Sequence, residues 1–385
     1  MKKALATILA LVMALGLTTA AWADDAGVTC NGENCTHAAE FKGKHYTHLV
    51  DAYAALTRGT TKPAAAEEIT LLRDSSGGGI GSDTDTNMNY VIDFGGHTYT
   101  VGAPAVGSTG TVSQGLRVLQ TSTAKFMNGT LKADNYNGLA QVVHTYGDVT
   151  FENFNVDARE NSYAQIAVEP DCGTLNITGN SSILAREGMT GLYVAFWHTG
   201  TYNGTTVNVN TTGKITGKLV YEFDEDMTGD AVATENRAVL NIANGNFEIT
   251  GIQTLFSGVA NEALKEAKIE VTGGTFSTDV TEYLAEGKIL QKNGDTYTAV
   301  TNSAITSGTY TSEPTVPSGY KATKNDDGTW TVSKVSYYYY QPTTDTKTTD
   351  TKGSPKTFDA GIALYVGMAL TSAAGVAFMG KKRED

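Results

Sequence analysis

A strand-and-turn phrase returns through the middle of this chain and constrains its fold more than any other feature. Alternating apolar residues run into an Asn/Gly turn at Phe126-Met127-Asn128-Gly129, and the pattern resumes with Val149, Phe151 and Asn153, then with Leu175, Ile177 and Gly179. It continues through Val207, Val209 and Gly213, through Leu240, Ile242 and Gly245, and through Ile269, Val271 and Gly274. Turn positions 129, 153, 179, 213, 245 and 274 are separated by 24, 26, 34, 32 and 29 residues. Each segment has the period-2 alternation of a strand with one buried face, and each is too short to bury that face alone. A drifting period of this length is the mark of stacked turns, each resting on its neighbours. One turn per repeat predicts an all-β parallel β-helix, a solenoid, over residues 76–276. A β-sandwich is the alternative. The coil is preferred because the same phrase recurs, whereas two-residue Asn-Gly loops between matched strands are not systematic.

Composition fits an extended all-β chain: only 18% of residues are charged and 42 are glycine. The formal net charge is −13, more negative still without Lys2 and Lys3. Nucleic acid is therefore excluded as a partner, because its phosphates must be met by an excess of Lys and Arg.

The flanks of the coil have a different grammar. Residues 24–75 predict a small α/β cap. Ala38, Ala39 and Phe41, a turn at Gly43, and Lys44-His45-Tyr46 form a hairpin, while Val50, Tyr53, Ala54 and Leu56 fall at helical spacing ahead of a strand over 69–72. A solenoid needs such a cap, since its end turn exposes unpaired backbone. Beyond the coil, residues 277–336 predict two tandem strand-rich units: Gly274-Thr275-Phe276, Lys292-Asn293 and Thr296-Tyr297-Thr298 return as Gly308-Thr309-Tyr310, Lys324-Asn325 and Thr329-Trp330-Thr331. Residues 337–353, rich in Thr, Asp and Lys, predict a disordered stalk.

Both ends carry export signals. Lys2 and Lys3, an apolar run over 4–17, and the small-x-small triplet Ala21-Trp22-Ala23 predict a signal peptide over residues 1–23, with Asp24 opening the mature chain. At the other end, Ser354-Pro355-Lys356-Thr357-Phe358 precedes an apolar run over 360–379 and then Lys381, Lys382 and Arg383. That run can cross a bilayer core of about 30 Å at a rise of about 1.5 Å per residue, with the basic end held inside. Residues 354–385 in this order resemble the sorting signal of sortase-anchored Gram-positive surface proteins, whose common forms are L-P-x-T-G and N-P-x-T-G. Here Ser354 stands in place of Leu or Asn, and Phe358 in place of the last Gly. The resemblance implies that a sortase thiolate attacks the Thr357 carbonyl and joins it to peptidoglycan. The protein would then be secreted and anchored to the cell wall, on the extracellular surface of a Gram-positive bacterium. An uncleaved membrane anchor is the alternative. Tyr90-Val91-Ile92-Asp93-Phe94-Gly95-Gly96-His97-Thr98 resembles the phrase that opens right-handed, pectin-lyase-like β-helices in surface proteins of gut Firmicutes. Gly273-Gly274-Thr275-Phe276-Ser277 with Tyr283 resembles the closing one.

Candidate sites are sparse. Tyr193, Phe196, Trp197, His198 and Tyr202 lie together, and exposed rings stack on the apolar face of a sugar. Phe196, Trp197 and Tyr202 are thus the expected ligand-binding set, against the alternative that strand alternation turns Tyr193 and Trp197 into the core. Glu222, Asp224, Glu225, Asp226 and Asp230 form the densest acidic run. It reads as a solvated loop, with Asp224, Asp226 and Asp230 the residues a calcium ion would use. Cys30, Cys35, His37, His45 and His48 match no standard zinc spacing. An extracytoplasmic compartment favours a Cys30–Cys35 disulfide, and an anaerobic niche two free thiols. A glycosidase needs two carboxylates flanking one bond. The paired Asp, Gly-His-Gly and Arg-x-Lys of pectin-degrading β-helices do not occur in the repeats, and Arg159, Arg186 and Arg237 have no matched acidic partners in the sequence. The expectation is a non-enzymatic adhesin or glycan-binding protein with no cofactor and a host or dietary glycan or glycoprotein as partner. A polysaccharide lyase or glycoside hydrolase on the same scaffold is the alternative.

Overall fold

The computed structural model describes residues 27–30, 35–108, 110–197, 204–224, 237–259, 262 and 265–336. The expected signal peptide, stalk and sorting signal lie outside this set, Ala21, Ala23, Asp24 and residues 354–358 included. Among the described residues 54% are in strands and there is one α-helix, and the strands wind into a β-solenoid.

Period-2 alternation builds the coil. Ile69, Ile92, Phe126, Phe151, Ile177, Val209, Ile242 and Val271 sit directly above one another in parallel register, all of them buried. The recurring phrase in the sequence is this column read once per turn, and its parallel pairing rules out the sandwich. Phe126, Phe151 and Phe154 add ring contacts with centroids 5.3–6.1 Å apart, close enough to favour tilted and edge-on geometries.

Each turn presents three faces. The first carries Glu67–Leu71, Asn89–Asp93 and Gly173–Gly179, and the second carries Ser75–Gly77, Thr98–Val101 and Ser182–Leu184. Thr111–Val118, Gln141–Thr145, Ile166–Pro170 and Thr190–Val194 form the third. The long strands Thr205–Asp224 and Ala238–Ser257 run through all three faces. The Asn/Gly turn is the corner between the first two: Asn128, Asn153 and Gly179 have φ of 56°, 52° and 67°, the left-handed region that Gly enters freely and Asn tolerates. Outside the first face, the Asn208 amide donates to Asn176 at 2.9 Å and that of Asn241 donates to Asn208 at 2.9 Å, tying three turns together.

Both ends of the coil are covered. The hairpin of Ala39–Phe41 and Lys44–Tyr46 turns at Lys42 and Gly43, both at positive φ, and Ala39–Phe41 pairs antiparallel with Glu67–Leu71. The helix Leu49–Ala54 packs beside it. Glu67–Leu71 pairs parallel with Asn89–Asp93, so the stretch read as the cap's last strand is already the first strand of the coil. At the far end Thr275–Phe276 pairs parallel with the coil on one side and antiparallel with Thr296–Thr301 on the other. Gly308–Tyr310 meets Trp330–Lys334 in the same way: Phe276 faces Tyr297, and Tyr310 faces Trp330. The two units share a small core of Ile289, Ile305, Tyr310 and Val332. Among the described residues no helix is long and apolar enough to cross a membrane, and the apolar run 360–379 lies outside them.

Candidate functional site

The third face concentrates the chemistry. Leu116, Val143 and Val168 stack in register and point inward, with Leu192 following on the next turn. Alternation therefore turns their neighbours Arg117, His144, Glu169 and Tyr193 outward, one per turn, with Tyr146 and Asp171 two residues further along their turns. Neighbouring turns lie about 4.8 Å apart, so these side chains meet. Arg117, His144 and Asp171 are nonetheless only 7%, 5% and 6% exposed. Buried ionisable groups need partners, and a network supplies them except at Arg117 Nε and Nη1, which are buried without a hydrogen bond.

His144 bridges two turns. Its Nε2 lies 2.7 Å from Asp171 Oδ2, and its Nδ1 lies 2.8 Å from Gln114 Nε2. In this arrangement the Gln114 amide donates to a neutral ring, whose Nε2–H goes to Asp171. The Gln114 Oε1 is left buried without a partner. Turning the amide over would let Oε1 accept Nδ1–H from an imidazolium. Burial resists that charge, but the Asp171 hydrogen bond and the charges of Asp171 and Glu169 outweigh it and raise the His144 pKa. Glu169 accepts from Gln141 Nε2 at 2.7 Å. Burial, and then the neighbouring charge of Asp171, push its carboxyl up to about 7 against the pull of His144 and Gln141. Next along, the Tyr193 hydroxyl donates to Glu222, whose other oxygen accepts from Ser257 Oγ at 2.6 Å. Burial and the Glu222 contact raise the Tyr193 pKa. Arg117 donates to Ser108 Oγ at 2.8 Å and lies 5.7 Å from the centroid of the Tyr146 ring, which is 4.5 Å from that of His144.

The ligating atoms of His144, Glu169 and Asp171 all lie within 4.8 Å of one another. Such a set can hold a proton between carboxylates near neutral pH, or ligate a divalent cation.

Trp197 stands at the edge of this network. Its backbone N–H donates to the Asp171 carbonyl at 2.7 Å, its own carbonyl accepts from Cys172 Sγ at 2.6 Å, and its side chain is on a residue 47% exposed. Phe196 is 4% exposed and belongs to the core, so it cannot offer a ring face to a sugar. The strand phase is the reverse of the core alternative: Val194 and Phe196 point in, Tyr193 and Trp197 out. Tyr202 and His198 lie outside the described residues. Glu222 belongs to the network and Asp224 ends its strand, while Asp226 and Asp230 also lie outside the described set. Arg159 does have an acidic partner: Asp157 receives it at 2.9 and 2.7 Å. Arg186 and Arg237 donate to backbone carbonyls. Cys30 and Cys35 are free thiols, which corrects the disulfide expectation.

His144, Glu169 and Asp171 were not singled out from the sequence. The available signal is spacing: Arg117, His144, Glu169 and Tyr193 recur at intervals of 27, 25 and 24 residues, one coil turn each. No protein-family model, curated protein or solved structure matches this chain.

Proposed function

We propose that this is a cell-surface-displayed glycan-binding protein or adhesin that takes an extended sugar chain along the third face of the coil. The observation that carries this reading is the exposed Trp197, whose backbone is held by the Asp171 carbonyl and the Cys172 thiol beside a row of polar groups. An exposed ring stacks on the apolar face of one sugar, and the half-buried Glu169, Tyr193 and Glu222 offer hydrogen bonds to hydroxyls on successive units. Glu169, Asp171 and Glu222 together favour a neutral glycan over an anionic one, since like charges at close range repel. Export through residues 1–23 and attachment through Thr357 would present this face outside the cell.

An array of neutral and anionic glycans probed with wild-type protein and Trp197→Ala is the test. Binding to neutral glycans, weakened about fivefold or more in the variant, is expected from a stacking contribution of about 1 kcal/mol. Equal binding by both proteins would remove the reading.

Glycoside hydrolysis is the second reading, favoured by the Glu169 carboxyl pushed up to about 7 within 4.8 Å of Asp171. A protonated acid beside an ionised carboxylate is the pair that retaining enzymes use, at a separation of about 5 Å. New reducing ends from a bound glycan, lost in Glu169→Gln, would establish it. Binding without such release supports the adhesin.

A further inference from the structure

The N-terminal cap brings together three soft or borderline donors, Cys30, Cys35 and His37, with a fourth, His45, against one of them. Cys30 Sγ lies 3.0 Å from His37 Nδ1, Cys35 Sγ lies 3.3 Å from the same nitrogen, and Cys35 Sγ is 2.9 Å from His45 Nδ1. The ligating atoms of Cys30, Cys35 and His37 all fall within 4.8 Å of one another. Hydrogen bonding alone accounts poorly for this convergence, because one Nδ1 faces two sulfurs and one sulfur faces two nitrogens. A tetrahedral metal accounts for all three contacts. With metal–sulfur bonds of about 2.3 Å and metal–nitrogen bonds of about 2.0 Å, each S···N edge of the tetrahedron is about 3.5 Å. The three observed edges need to open by a few tenths of an ångström, and His45, which meets Cys35 alone, needs to swing in toward Cys30 and His37.

The backbone holds the four donors in place. Val28 and His45 exchange N–H···O bonds of 2.9 and 2.7 Å, which brings the segment bearing Cys30 alongside the strand Lys44–Tyr46. The Arg73 guanidinium donates to the Cys35 carbonyl. On its far side His45 Nε2 lies 3.6 Å from Glu40 Oε2, the outward carboxylate that orients a metal-bound imidazole. Two thiolates and two neutral imidazoles would neutralise a divalent ion and leave no open position, the arrangement of a structural site.

We infer that Cys30, Cys35, His37 and His45 form a structural site for a zinc-class transition metal that clamps the N-terminal segment to the cap hairpin. Thiolate and imidazole ligands select zinc over calcium or magnesium, which need oxygen donors. The spacing differs from finger motifs because His45 is delivered by a hairpin strand rather than by a helix.

The test uses the full chain, reduced, stripped with a chelator and titrated with Co2+ and then Zn2+. One Co2+ per chain is expected, with the visible bands of tetrahedral cobalt and thiolate-to-metal charge transfer in the ultraviolet, both bleached by one equivalent of Zn2+. Cys30→Ser and His45→Ala should each abolish the tetrahedral spectrum while the strand circular dichroism is kept. Cys172→Ser should leave it intact, and Glu40→Gln should weaken the metal about tenfold. Absence of stoichiometric uptake by the reduced wild-type chain, or a tetrahedral spectrum unchanged in Cys30→Ser, would overturn the assignment.

Discussion

Replacing Glu169 by Gln should make the protein more stable, and only above a definite pH. The Glu169 carboxyl is pushed from an ordinary 4.5 to about 7, first by burial and then by the charge of Asp171, with Glu222 adding to it. Between those two values the folded protein holds a proton that the unfolded chain has released. Stability therefore falls as pH rises through the window and levels off above it. At about 1.4 kcal/mol per pKa unit the ionised carboxylate costs the folded state about 3 kcal/mol at pH 8 and almost nothing at pH 4. Glu169→Gln removes the titration and retains an oxygen to accept from Gln141. Urea unfolding of both proteins at half-unit steps from pH 4 to 8 should give matching stabilities at the acid end and a variant about 3 kcal/mol ahead at the alkaline end. His144 contributes a fall of the same sign in both proteins. Its pKa is raised on folding, so its stabilisation is complete below its unfolded pKa and is lost as pH climbs through the folded one. A difference between the two proteins that does not vary with pH, or a wild type that gains on the variant as pH rises, would refute the reasoning.

Phe196→Ala should cost about 3–5 kcal/mol in urea unfolding because it empties a buried ring site, whereas Trp197→Ala should leave the unfolding midpoint almost unmoved. Asn208→Ala removes both hydrogen bonds of the outer Asn ladder and should lower stability by about 1–2 kcal/mol, with Asn176→Ala, which breaks one of them, costing about half as much.

The coil was legible because its signal is redundant. Each turn repeats the same inward pair, such as Phe126 with Ala124 or Val209 with Val207, and the positive-φ corner repeats the Asn/Gly requirement. The site was not legible, because it is made by register between turns rather than by any local string. His144 meets Asp171 across a turn, and turn length drifts along the chain. Around Trp197 the phase was ambiguous for a different reason. Tyr193, Val194, Phe196 and Trp197 put large apolar groups on both parities, and only the pairing of Leu192 with Leu219 decides which one faces in. The proximity of the cap cysteines and histidines was not legible from spacing rules either. The Val28–His45 bridge lays the segment bearing Cys30 beside the strand of His45, and His45 meets Cys35 across the hairpin, contacts that sequence separation does not encode.

Hydrogen–deuterium exchange of the wild-type protein, with and without the glycan it binds most tightly, decides whether the third face is the binding surface. New protection is expected in peptides covering residues 141–146, 166–172 and 190–197, where the third face carries His144, Glu169, Asp171 and Trp197. Protection confined to the opposite corner, where Thr212, Asn244, Asn246 and Glu248 line a shallow depression, or to the tandem units after Phe276, would contradict it.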